Sequence, residues 1–418
     1  MIALIADDLT GASDAGVQFA RRGLATHVVF DVPEGACTAD VEALAVDTET
    51  RAVSPAEAYR RVRDVADRLC AMQPDHVYKK VDSTLRGNLG AEIDAVLDAF
   101  DLQLQLAIVA PAYPIMERTT RDGTHRLHGT PVHETEIGRD PKTPVRESNL
   151  VRLLESGSRR TPALVSLQTV ERGPQAIRDE VDALARRGVS LVVCDAETDR
   201  ALRAVGESLA GRRGVLWVGS AGLAEHLAEL LELPQRTYVA PAIDASDGPV
   251  LLVAGSVSEI TRQQVATLTA QRDTTVVALH PSVLIGRDAA CSAESDRGRD
   301  TVRATLAAGR DCALVIEPCA VRTEGAHELA EALGRVAADA ARSHRLRGLI
   351  LTGGDTARAV CRHLGVSGIH LLAEVQPGVP LGRLVGNSAV RLHAVTKAGA
   401  FGSERALLDA LDRLKGDI

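Results

Sequence analysis

Short apolar runs rich in β-branched residues alternate with helix-like patterns through the first half of the chain. Each run is long enough for one buried strand, and the predicted strands are IALIAD, THVVFDV, VEALAVDT, HVYKKVD, LQLAIVAPA, PALVSL, VSLVVCDA and GVLWVGSAG. Strands that alternate with helices are joined by crossover connections, which favour a parallel sheet covered by helices. The pattern therefore predicts an α/β fold.

The intervening segments carry their apolar residues at helical spacing. After DSTLRGNLGAE, for example, Ile93, Val96, Leu97 and Phe100 fall at i, i+3, i+4 and i+7. Residues at this spacing share one face of a helix. We expect this helix to bury that face against the sheet and to expose its opposite face to water.

The periodicity lapses around LELPQRTYVAPAIDASDGPV, where prolines, a glycine and polar residues interrupt it. We predict a linker at residues 237–248 between an N-terminal domain, 1–236, and a C-terminal domain, 249–418. Apolar runs then resume as VLLVAGS, TTVVALH, CALVIEP and GLILTGGDT, with a last strand pair near LVGNSAVRLHAVTKAG. The polar stretch SAESDRGRD is expected on the surface, as a helix or a loop. The length of 418 residues also favours two domains.

Composition narrows the class of protein. Hydrophobic residues make up 45% and charged residues 25% of the chain, and no apolar stretch is long enough to span a membrane. Residues Met1 to Ala6 are apolar with no basic lead, which favours a buried strand over a signal peptide, so we expect a cytoplasmic protein. Seven scattered cysteines without a CxxC pair are typical of reduced thiols. A net charge of -8 and an aromatic content of 2% argue against nucleic acid as a partner.

Two adjacent aspartates, Asp7 and Asp8, follow the first predicted strand. Loops that leave the carboxyl ends of parallel strands form the ligand crevice of an α/β sheet. Two carboxylates at one strand end are costly to hold together unless a cation or a hydroxyl binds them. The alternative is that Asp7 caps the next helix and that Asp8 is merely solvated.

Two further predicted strand ends supply groups that recognise anions and hydroxyls. Arginine binds carboxylates in a bidentate manner, lysine supplies a compact charge, and hydroxyls complete an anion site. The stretches VDTETR and YKKVDSTLRGN contain Arg51, Lys79, Lys80, Asp82, Ser83, Thr84 and Arg86. Two lysines and an aspartate interrupt an otherwise apolar strand, which favours a binding role over ordinary surface charge.

A passage rich in proline and glycine, residues 110–144, is longer than a connection needs. We expect it to be a loop that serves as a lid or wall of the site. His125, His128 and His133 lie in it, but their spacing fits no standard metal-ligand pattern. Loop histidines are usually solvated, and we predict no protein-held metal site.

The second domain contains three strand ends with glycine: VAGSVSEIT, LTGGDTARAV and TKAGAFGSE. Gly353 and Gly354 precede Asp355 and Thr356 at a predicted helix start, where backbone N–H groups attract an anion. Neither GxxxxGK[ST] nor a strand-linked GxGxxG is present. Three such loops in one domain, one of them with Lys397, favour phosphate binding.

These motifs, in this order, resemble the four-carbon acid sugar kinases over nearly the whole chain. The shared stretches are IADDLTGASDAG, KKVDSTLRGN, PAYP, RTTRDGTHRLHGTPVHET, DPKTPV, VGSAGLAEHLA, VAGSVSEIT, LTGGDTA and TKAGAFG. The resemblance implies an N-terminal domain that binds an acid sugar such as threonate, erythronate or a 3-oxo-tetronate. It implies a C-terminal domain that binds ATP with Mg²⁺, and transfer of the γ-phosphoryl group to the 4-hydroxyl in the interdomain cleft.

The resemblance also implies roles for single residues. The acid sugar is expected to contact Asp8, Arg51, Lys80, Asp82, Ser83 and Thr84. ATP is expected to contact Ser256 or Ser258, Gly353, Gly354, Asp355, Thr356, Lys397 and Gly399. Phosphoryl transfer depends mainly on positioning and charge neutralisation. Asp8 is our first choice to orient or deprotonate the 4-hydroxyl, and Asp82 is the second.

Some alternatives stay open at this point. Lys80 is expected either to bind the substrate carboxylate or to steady the transferring group, and Asp355 either to bind the Mg²⁺ of ATP or to cap its helix. Ala400 stands where the family often has glycine. A non-catalytic sensor of metabolites is the main rival function, and a nicotinamide-dependent dehydrogenase is a weaker one because its glycine fingerprint is missing. A homodimer is compatible with the sequence.

Overall fold

A computed structural model describes most of the chain: residues 1–33, 40–140, 142–233, 247–256, 258–285, 289–317, 325–386 and 392–417. The chain divides into two compact units, Met1–Tyr238 and Val239–Ile418. The predicted linker, 237–248, lies almost wholly outside the described residues. Its bounds therefore stay a prediction.

The first unit alternates strands and helices as the apolar pattern predicts. Its strands are β1 (Ile2–Ala6), β2 (Thr26–Val29), β3 (Ala43–Asp47), β4 (His76–Lys80), β5 (Leu106–Ala110), β6 (Arg118–Arg121), β7 (Thr124–Leu127), β8 (Thr130–Pro131), β9 (Pro162–Val165), β10 (Leu191–Cys194) and β11 (Val215–Gly219). Its helices are α1 (Leu9–Ala20), α2 (Pro55–Ala71), α3 (Leu89–Ala99), α4 (Leu150–Gly157), α5 (Leu167–Glu171), α6 (Pro174–Arg186), α7 (Asp199–Leu209) and α8 (Ala221–Leu230).

The main sheet of this unit is parallel throughout, in the order β2-β3-β1-β4-β11-β5-β10-β9. Strand β1 is buried along its whole length, as expected for a central strand covered by helices on both faces. The chain runs to β3 on one side of β1 and to β4 on the other, which makes the ends of these strands a topological switch point. The α/β prediction is confirmed.

Helix α3 differs from its prediction in one respect. Its apolar positions Ile93, Val96 and Leu97 are buried, as expected. The face predicted to be wet is only partly so, because Ala91 and Asp98 are partly exposed whereas Glu92 and Asp94 at its edges are buried. Glu92 forms an ion pair of 2.7 Å with buried Lys79, so the carboxylate is compensated inside the protein.

The passage at 110–144 is more ordered than the loop that we predicted. Strands β6, β7 and β8 form an antiparallel sheet within it. Asp122 and Gly123 connect β6 to β7 with positive φ angles of 51° and 71°. An Asp-Gly turn of this kind is a strong hairpin signal, so the loop prediction was wrong for a reason visible in the sequence.

The second unit contains β12 (Val250–Ala254), β13 (Thr274–Leu279), β14 (Asp311–Ile316), β15 (Gly348–Thr352), β16 (Val366–Gln376), β17 (Val379–Gly386) and β18 (His393–Lys397). Its helices are α9 (Glu259–Gln271), α10 (Pro281–Ile285), α11 (Ala289–Ala307), α12 (Ala326–Ser343), α13 (Gly354–Leu364) and α14 (Ala406–Lys415). The polar stretch SAESDRGRD lies in α11, as one of the two expected forms.

Strands β13, β14, β12, β15 and β18 are parallel neighbours in that order, and β17 and β16 follow antiparallel. The predicted last strand pair corresponds to the end of β17 and to β18. Strand β16 was not predicted. Its turn into β17 contains Pro377 and Gly378, the latter at φ 76°, which is a readable turn signal.

The described cysteine side chains, Cys70, Cys194, Cys312 and Cys361, are free thiols, in agreement with the prediction of reduced cysteines. Across the described ranges, no helix is both long and apolar enough to cross a membrane.

Candidate functional site

The carboxyl ends of three neighbouring strands bring the first group of predicted residues together. Ala6 at the end of β1 is in register with Asp47 of β3 and with Lys80 of β4. The segments that follow these strands carry Asp8, Arg51 and Asp82. The sheet therefore gathers them at one edge, where α/β proteins bind their ligands.

Asp8 caps helix α1. Its backbone is extended, and its Oδ1 accepts a hydrogen bond of 2.8 Å from Gly11 N, while Oδ2 accepts one of 2.5 Å from Thr10 Oγ1. Asp7 is almost fully buried instead. The alternative that gave the cap to Asp7 and a merely solvated position to Asp8 was therefore wrong.

Arg51 binds both aspartates. Its Nε and Nη2 donate to Asp7 at 2.7 and 2.9 Å, and its Nη1 and Nη2 donate to Asp8 at 2.9 and 2.7 Å. Backbone bonds from Thr50 N and Arg51 N to Asp7 O hold the arginine in place. Burial alone would raise the pKa of Asp7, but Arg51, with help from Lys79 and Lys80, outweighs it and holds that pKa below its ordinary value.

Asp82 organises the tight turn after β4. Its Oδ2 accepts hydrogen bonds from the backbone N–H and the hydroxyl of Thr84 and from Arg86, whose Nε lies at 2.8 Å. Burial opposes ionisation, yet Arg86 and Arg51 hold the pKa of Asp82 well below its ordinary value. Leu85 adopts a left-handed φ of 64° to close the turn. With so low a pKa, the Asp82 carboxylate stays ionised, so it holds the turn through its hydrogen bonds but is a weak base.

Ser83 and Thr84 lie on that turn, and their hydroxyls differ. Both side chains are largely buried. Thr84 donates its hydroxyl proton to Asp82, whereas the Ser83 hydroxyl makes no hydrogen bond to the residues that the structure describes. Ser83 therefore retains its donor and acceptor capacity for a ligand.

Lys79 and Lys80 point to opposite faces of the sheet, as adjacent strand residues must. Lys79 pairs with Glu92, but Lys80 Nζ donates only to Val81 O, at 2.9 Å, and forms no ion pair within the described part of the chain. A Cβ on Gly11 would lie 2.6 Å from Asp8 Oδ1 and 3.2 Å from Lys80 Nζ. Asp8 and Lys80 thus converge on the same small region beside Gly11.

The second group of predicted residues lies in the other unit, again at strand ends. Ala254 of β12 is in register with Thr352 of β15, and Thr352 is in register with Lys397 of β18. Helix α13 begins directly after β15. Gly353 is its N-cap, at φ 95° and without a side-chain capping bond. The N–H groups of a first helical turn have no intrahelical partner and are suited to an anion.

Glycines let three loops approach one another here. A Cβ on Gly399 would lie 2.2 Å from Ser256 Oγ, and a Cβ on Gly255 would lie 1.8 Å from Thr356 Oγ1. Gly399 O accepts hydrogen bonds of 2.9 Å from Ser258 Oγ and of 3.0 Å from Lys397 Nζ. The predicted residues of this unit, including Gly354 and Asp355 in the first turn of α13, therefore form one cluster.

Lys397 is buried in that cluster with backbone partners. Its Nζ donates to Ala398 O at 2.9 Å and to Gly399 O, and no carboxylate of the described residues lies within ion-pair distance. Burial lowers the pKa of Lys397 to about 7. Its charge is therefore sensitive to pH near neutrality.

Two regions of the chain match known family descriptions that agree with these two sites. Residues 2–227 match a sugar-binding N-terminal domain, and residues 251–407 match a nucleotide-binding C-terminal domain. The fold and the matches define a two-domain protein with one domain of each kind.

Similar proteins narrow the class further. The chain is 35% identical to a D-threonate kinase from Salmonella typhimurium, with 98% of this chain and 97% of that protein covered. It is 34% identical to a D-erythronate kinase from Heliobacterium modesticaldum, covering 99% and 97%. A solved structure from Salmonella typhimurium, described as a putative tRNA synthase, superposes with a TM-score of 0.82 at 26% identity and covers 99% of both chains. The chain belongs to the four-carbon acid sugar kinase family and is a kinase.

Sequence reasoning left several neighbours out of the predicted site. Asp7 and Arg86 were among the candidate binding residues but were not included in the acid-sugar site, although they pair with Arg51 and Asp82. His125 was expected to be a solvated loop residue, yet it is a fully buried residue of β7 whose Nε2 lies 2.9 Å from Ser83 O. The Asp-Gly turn is the signal that could have placed His125 in a strand of a hairpin, although the turn gives no sign of its burial.

Proposed function

We propose that the protein transfers the γ-phosphoryl group of ATP to the 4-hydroxyl of a four-carbon acid sugar, such as threonate, erythronate or a 3-oxo-tetronate. The observation that carries this proposal is the convergence of Asp8 and Lys80 beside Gly11. A carboxylate that can orient a hydroxyl stands there next to an ammonium with unused N–H groups. The names of the D-threonate and D-erythronate kinases support the substrate class.

Asp8 is the better of the two aspartates for the reacting hydroxyl. Both carboxylates accept several hydrogen bonds, but the Asp8 side chain is 18% exposed, whereas Asp82 is 7% exposed and anchors the turn through Thr84 and Arg86. Phosphoryl transfer demands little base strength, because the transition state is loose and depends on alignment. Asp8 therefore orients the 4-hydroxyl, and Asp82 shapes the turn that binds the rest of the sugar.

The cations divide between the two ends of the substrate. Lys80 lies beside Asp8, so it neutralises the charge of the group being transferred. Arg51 donates four of its five N–H groups to Asp7 and Asp8, and its fifth N–H group binds an oxygen of the acid sugar. The Ser83 hydroxyl and Thr84 provide the remaining polar contacts.

The cluster in the second unit fits the phosphates of ATP. Gly353, Gly354, Asp355 and Thr356 present the start of α13 to an anion, and Ser256, Ser258, Lys397 and Gly399 surround it. Within the described ranges, no three acidic, histidine or cysteine side chains cluster as a metal site. Bound Mg²⁺ neutralises phosphate charge.

ATP consumption by the purified protein tests the proposal. The panel contains Mg²⁺ with D- and L-threonate, D- and L-erythronate and their 3-oxo forms, with glycerate as a three-carbon control. We expect one four-carbon acid to give much the highest turnover, and ³¹P and ¹³C NMR of the product to place the phosphate on C4. Absence of ADP formation with every four-carbon acid would contradict the proposal.

The same experiment separates the rival function. A sensor would bind the acid sugar and ATP without turnover, so calorimetric binding combined with no ADP release would favour it. The cytoplasmic location and the homodimer considered from the sequence stay predictions. Cell fractionation and light scattering test them.

A further inference from the structure

His125 is a buried histidine with two specific hydrogen bonds and no role in the site proposed above. It is 0% exposed, and its ring nitrogens lie 2.8 Å from Thr120 Oγ1 and 2.9 Å from Ser83 O. Ser83 belongs to the turn that binds the acid sugar in the proposed function. A side chain of the hairpin thus reaches the backbone of that turn.

The hydrogen bonds define the tautomer of His125. A carbonyl oxygen only accepts, so Nε2 carries the proton and donates it to Ser83 O. Nδ1 then accepts the hydroxyl proton of Thr120. Burial lowers the pKa of His125 to about 4, so the ring stays neutral and keeps this arrangement near neutral pH.

The peptide between Ser83 and Thr84 is consequently held at both ends. Its carbonyl accepts from His125 Nε2, and its N–H, that of Thr84, donates to Asp82 Oδ2 at 3.3 Å. A peptide fixed on both sides cannot flip. The positions of the Ser83 and Thr84 side chains relative to Asp82 are fixed with it.

The hairpin that carries His125 is itself anchored. Buried Asp195 accepts hydrogen bonds from Asp122 N at 2.8 Å and from Gly123 N at 2.9 Å, at the turn of the hairpin. Thr120 and Ala196 exchange backbone hydrogen bonds of 2.8 and 3.0 Å. The hairpin that carries His125 is therefore held by hydrogen bonds to the segment that directly follows β10.

We propose that His125 is a positioning residue, which holds the Ser83–Thr84 peptide in the orientation that binds the acid sugar. This inference rests on the proposed function of that turn. Preorganised groups bind a ligand more tightly because less freedom is lost on binding. His125 acts through Ser83 and touches no substrate atom.

The test compares His125→Leu, which fills the space without a donor, with His125→Gln, whose amide N–H can replace Nε2. Loss of a donor to a buried carbonyl costs enough to raise the KM for the acid sugar by about tenfold in His125→Leu. We expect the KM for ATP to change by no more than about twofold, because the hydrogen bond that is lost, to Ser83 O, is not in the nucleotide unit. The glutamine variant should recover most of the acid-sugar KM.

Two further variants guard against a purely structural effect. Thr120→Val removes only the partner of Nδ1 and should raise the acid-sugar KM less than His125→Leu does. His128→Ala alters an exposed histidine of the same hairpin and should change neither KM. Thermal unfolding is measured for all four variants. If His125→Leu does not fold, Thr120→Val still decides, because a rise in both of its KM values together, or no rise in its KM for the acid sugar, would overturn the proposal.

The outcome for His125 is separable from that for the proposed function. Failure of the unmodified enzyme to phosphorylate any four-carbon acid would defeat the function itself. An active enzyme whose acid-sugar KM is unchanged in folded His125→Leu would defeat only the positioning role.

Discussion

Both candidate sites lie at the carboxyl ends of parallel strands, but they are formed by different kinds of chemical groups. In the first unit, the ends of β1, β3 and β4 carry charged side chains that neutralise one another, with Arg51 between Asp7 and Asp8. In the second unit, the ends of β12, β15 and β18 present glycines, hydroxyls and helix N–H groups, with Lys397 as a buried cation.

The difference matches what each proposed ligand offers. Stereoisomers of an acid sugar differ by the direction of one hydroxyl, and directed side chains such as Asp8 and Ser83 can discriminate between such directions. The phosphates of a nucleotide offer uniform oxygens, which backbone N–H groups bind well. The buried lysines do not follow this division, since Lys79 pairs with Glu92 whereas Lys80 of the first unit and Lys397 of the second donate to backbone carbonyls.

Arg51→Ala is expected to have the largest effect, because it breaks the charge balance of the first site. Asp7 and Asp8 would lose their shared cation, and removal of one partner from a buried pair costs about 3–5 kcal/mol of the free energy of unfolding. We expect chemical denaturation to show this loss. In the folded fraction, the KM for the acid sugar should rise far more than the KM for ATP. Equal rises would contradict the assignment of one ligand to each unit.

The same variant makes a signed pH prediction. In the unmodified protein, Arg51 holds the pKa of Asp7 below its unfolded value, so this contribution to stability is present above that value and is lost as the pH falls. Without Arg51, the pKa of Asp7 should move upward, because only Lys79 and Lys80 would then oppose the effect of burial. The stability deficit of the variant should therefore be larger at pH 7 than at pH 4. Arg60→Ala removes an exposed arginine that pairs with Glu57 and serves as the control.

Local patterns predicted most of the strands and the residues that follow them. The apolar runs before Asp8 and Lys80 identified both strands, and the parallel arrangement implied that their ends would meet. The sequence could not show that Arg51 binds Asp7 and Asp8, because that contact joins residues more than forty positions apart. Charged side chains gave no sign of whether they serve the ligand or one another.

The antiparallel elements were missed for a different reason. Strand β16 has no continuous apolar run, since its residues alternate between buried and partly exposed positions and include a glycine. The β6–β7 hairpin is largely polar, and a buried histidine such as His125 cannot be told from a surface one without its partners. In both places the turn residues, Pro377–Gly378 and Asp122–Gly123, were more informative than the strands.

Lys397→Met tests the unpaired cation of the second site. Burial lowers the pKa of Lys397 to about 7 from an unfolded value of 10.5, so the unfolded chain binds more protons between these values. Stability should therefore rise with pH across this window, by at most about 1.4 kcal/mol per pH unit. Methionine should remove this rise. Exposed Lys142→Met is the control, and an unchanged slope in Lys397→Met would contradict the low pKa.

Asp8→Asn probes the reacting end of the first site. Asparagine is nearly isosteric and is also a good N-cap, so α1 and the fold should persist, with some loss of thermal stability because its amide nitrogen cannot accept from Arg51. We expect kcat to fall by roughly a hundredfold, which corresponds to about 2.7 kcal/mol of transition-state stabilisation. Asp82→Asn should also lower stability, because Asp82 anchors Thr84 and Arg86, but the fall in kcat should be larger in Asp8→Asn. Unchanged turnover in Asp8→Asn would remove Asp8 from the chemistry.

Gly399→Ala is the mildest of these changes and addresses the backbone-built site. The added Cβ would lie 2.2 Å from Ser256 Oγ and 2.9 Å from its Cβ, so the loops after β12 and β18 must move apart. We expect the KM for ATP to rise by about tenfold, or about 1.4 kcal/mol, with the KM for the acid sugar little changed. Combining Gly399→Ala with Ser256→Gly should relieve the clash. The KM for ATP of the double variant should then be lower than the combined effects of the two single variants predict. If the double variant is no better than Gly399→Ala, close approach of these loops does not govern nucleotide binding. The contrast between the two sites would then rest on the hydroxyls and not on the glycines.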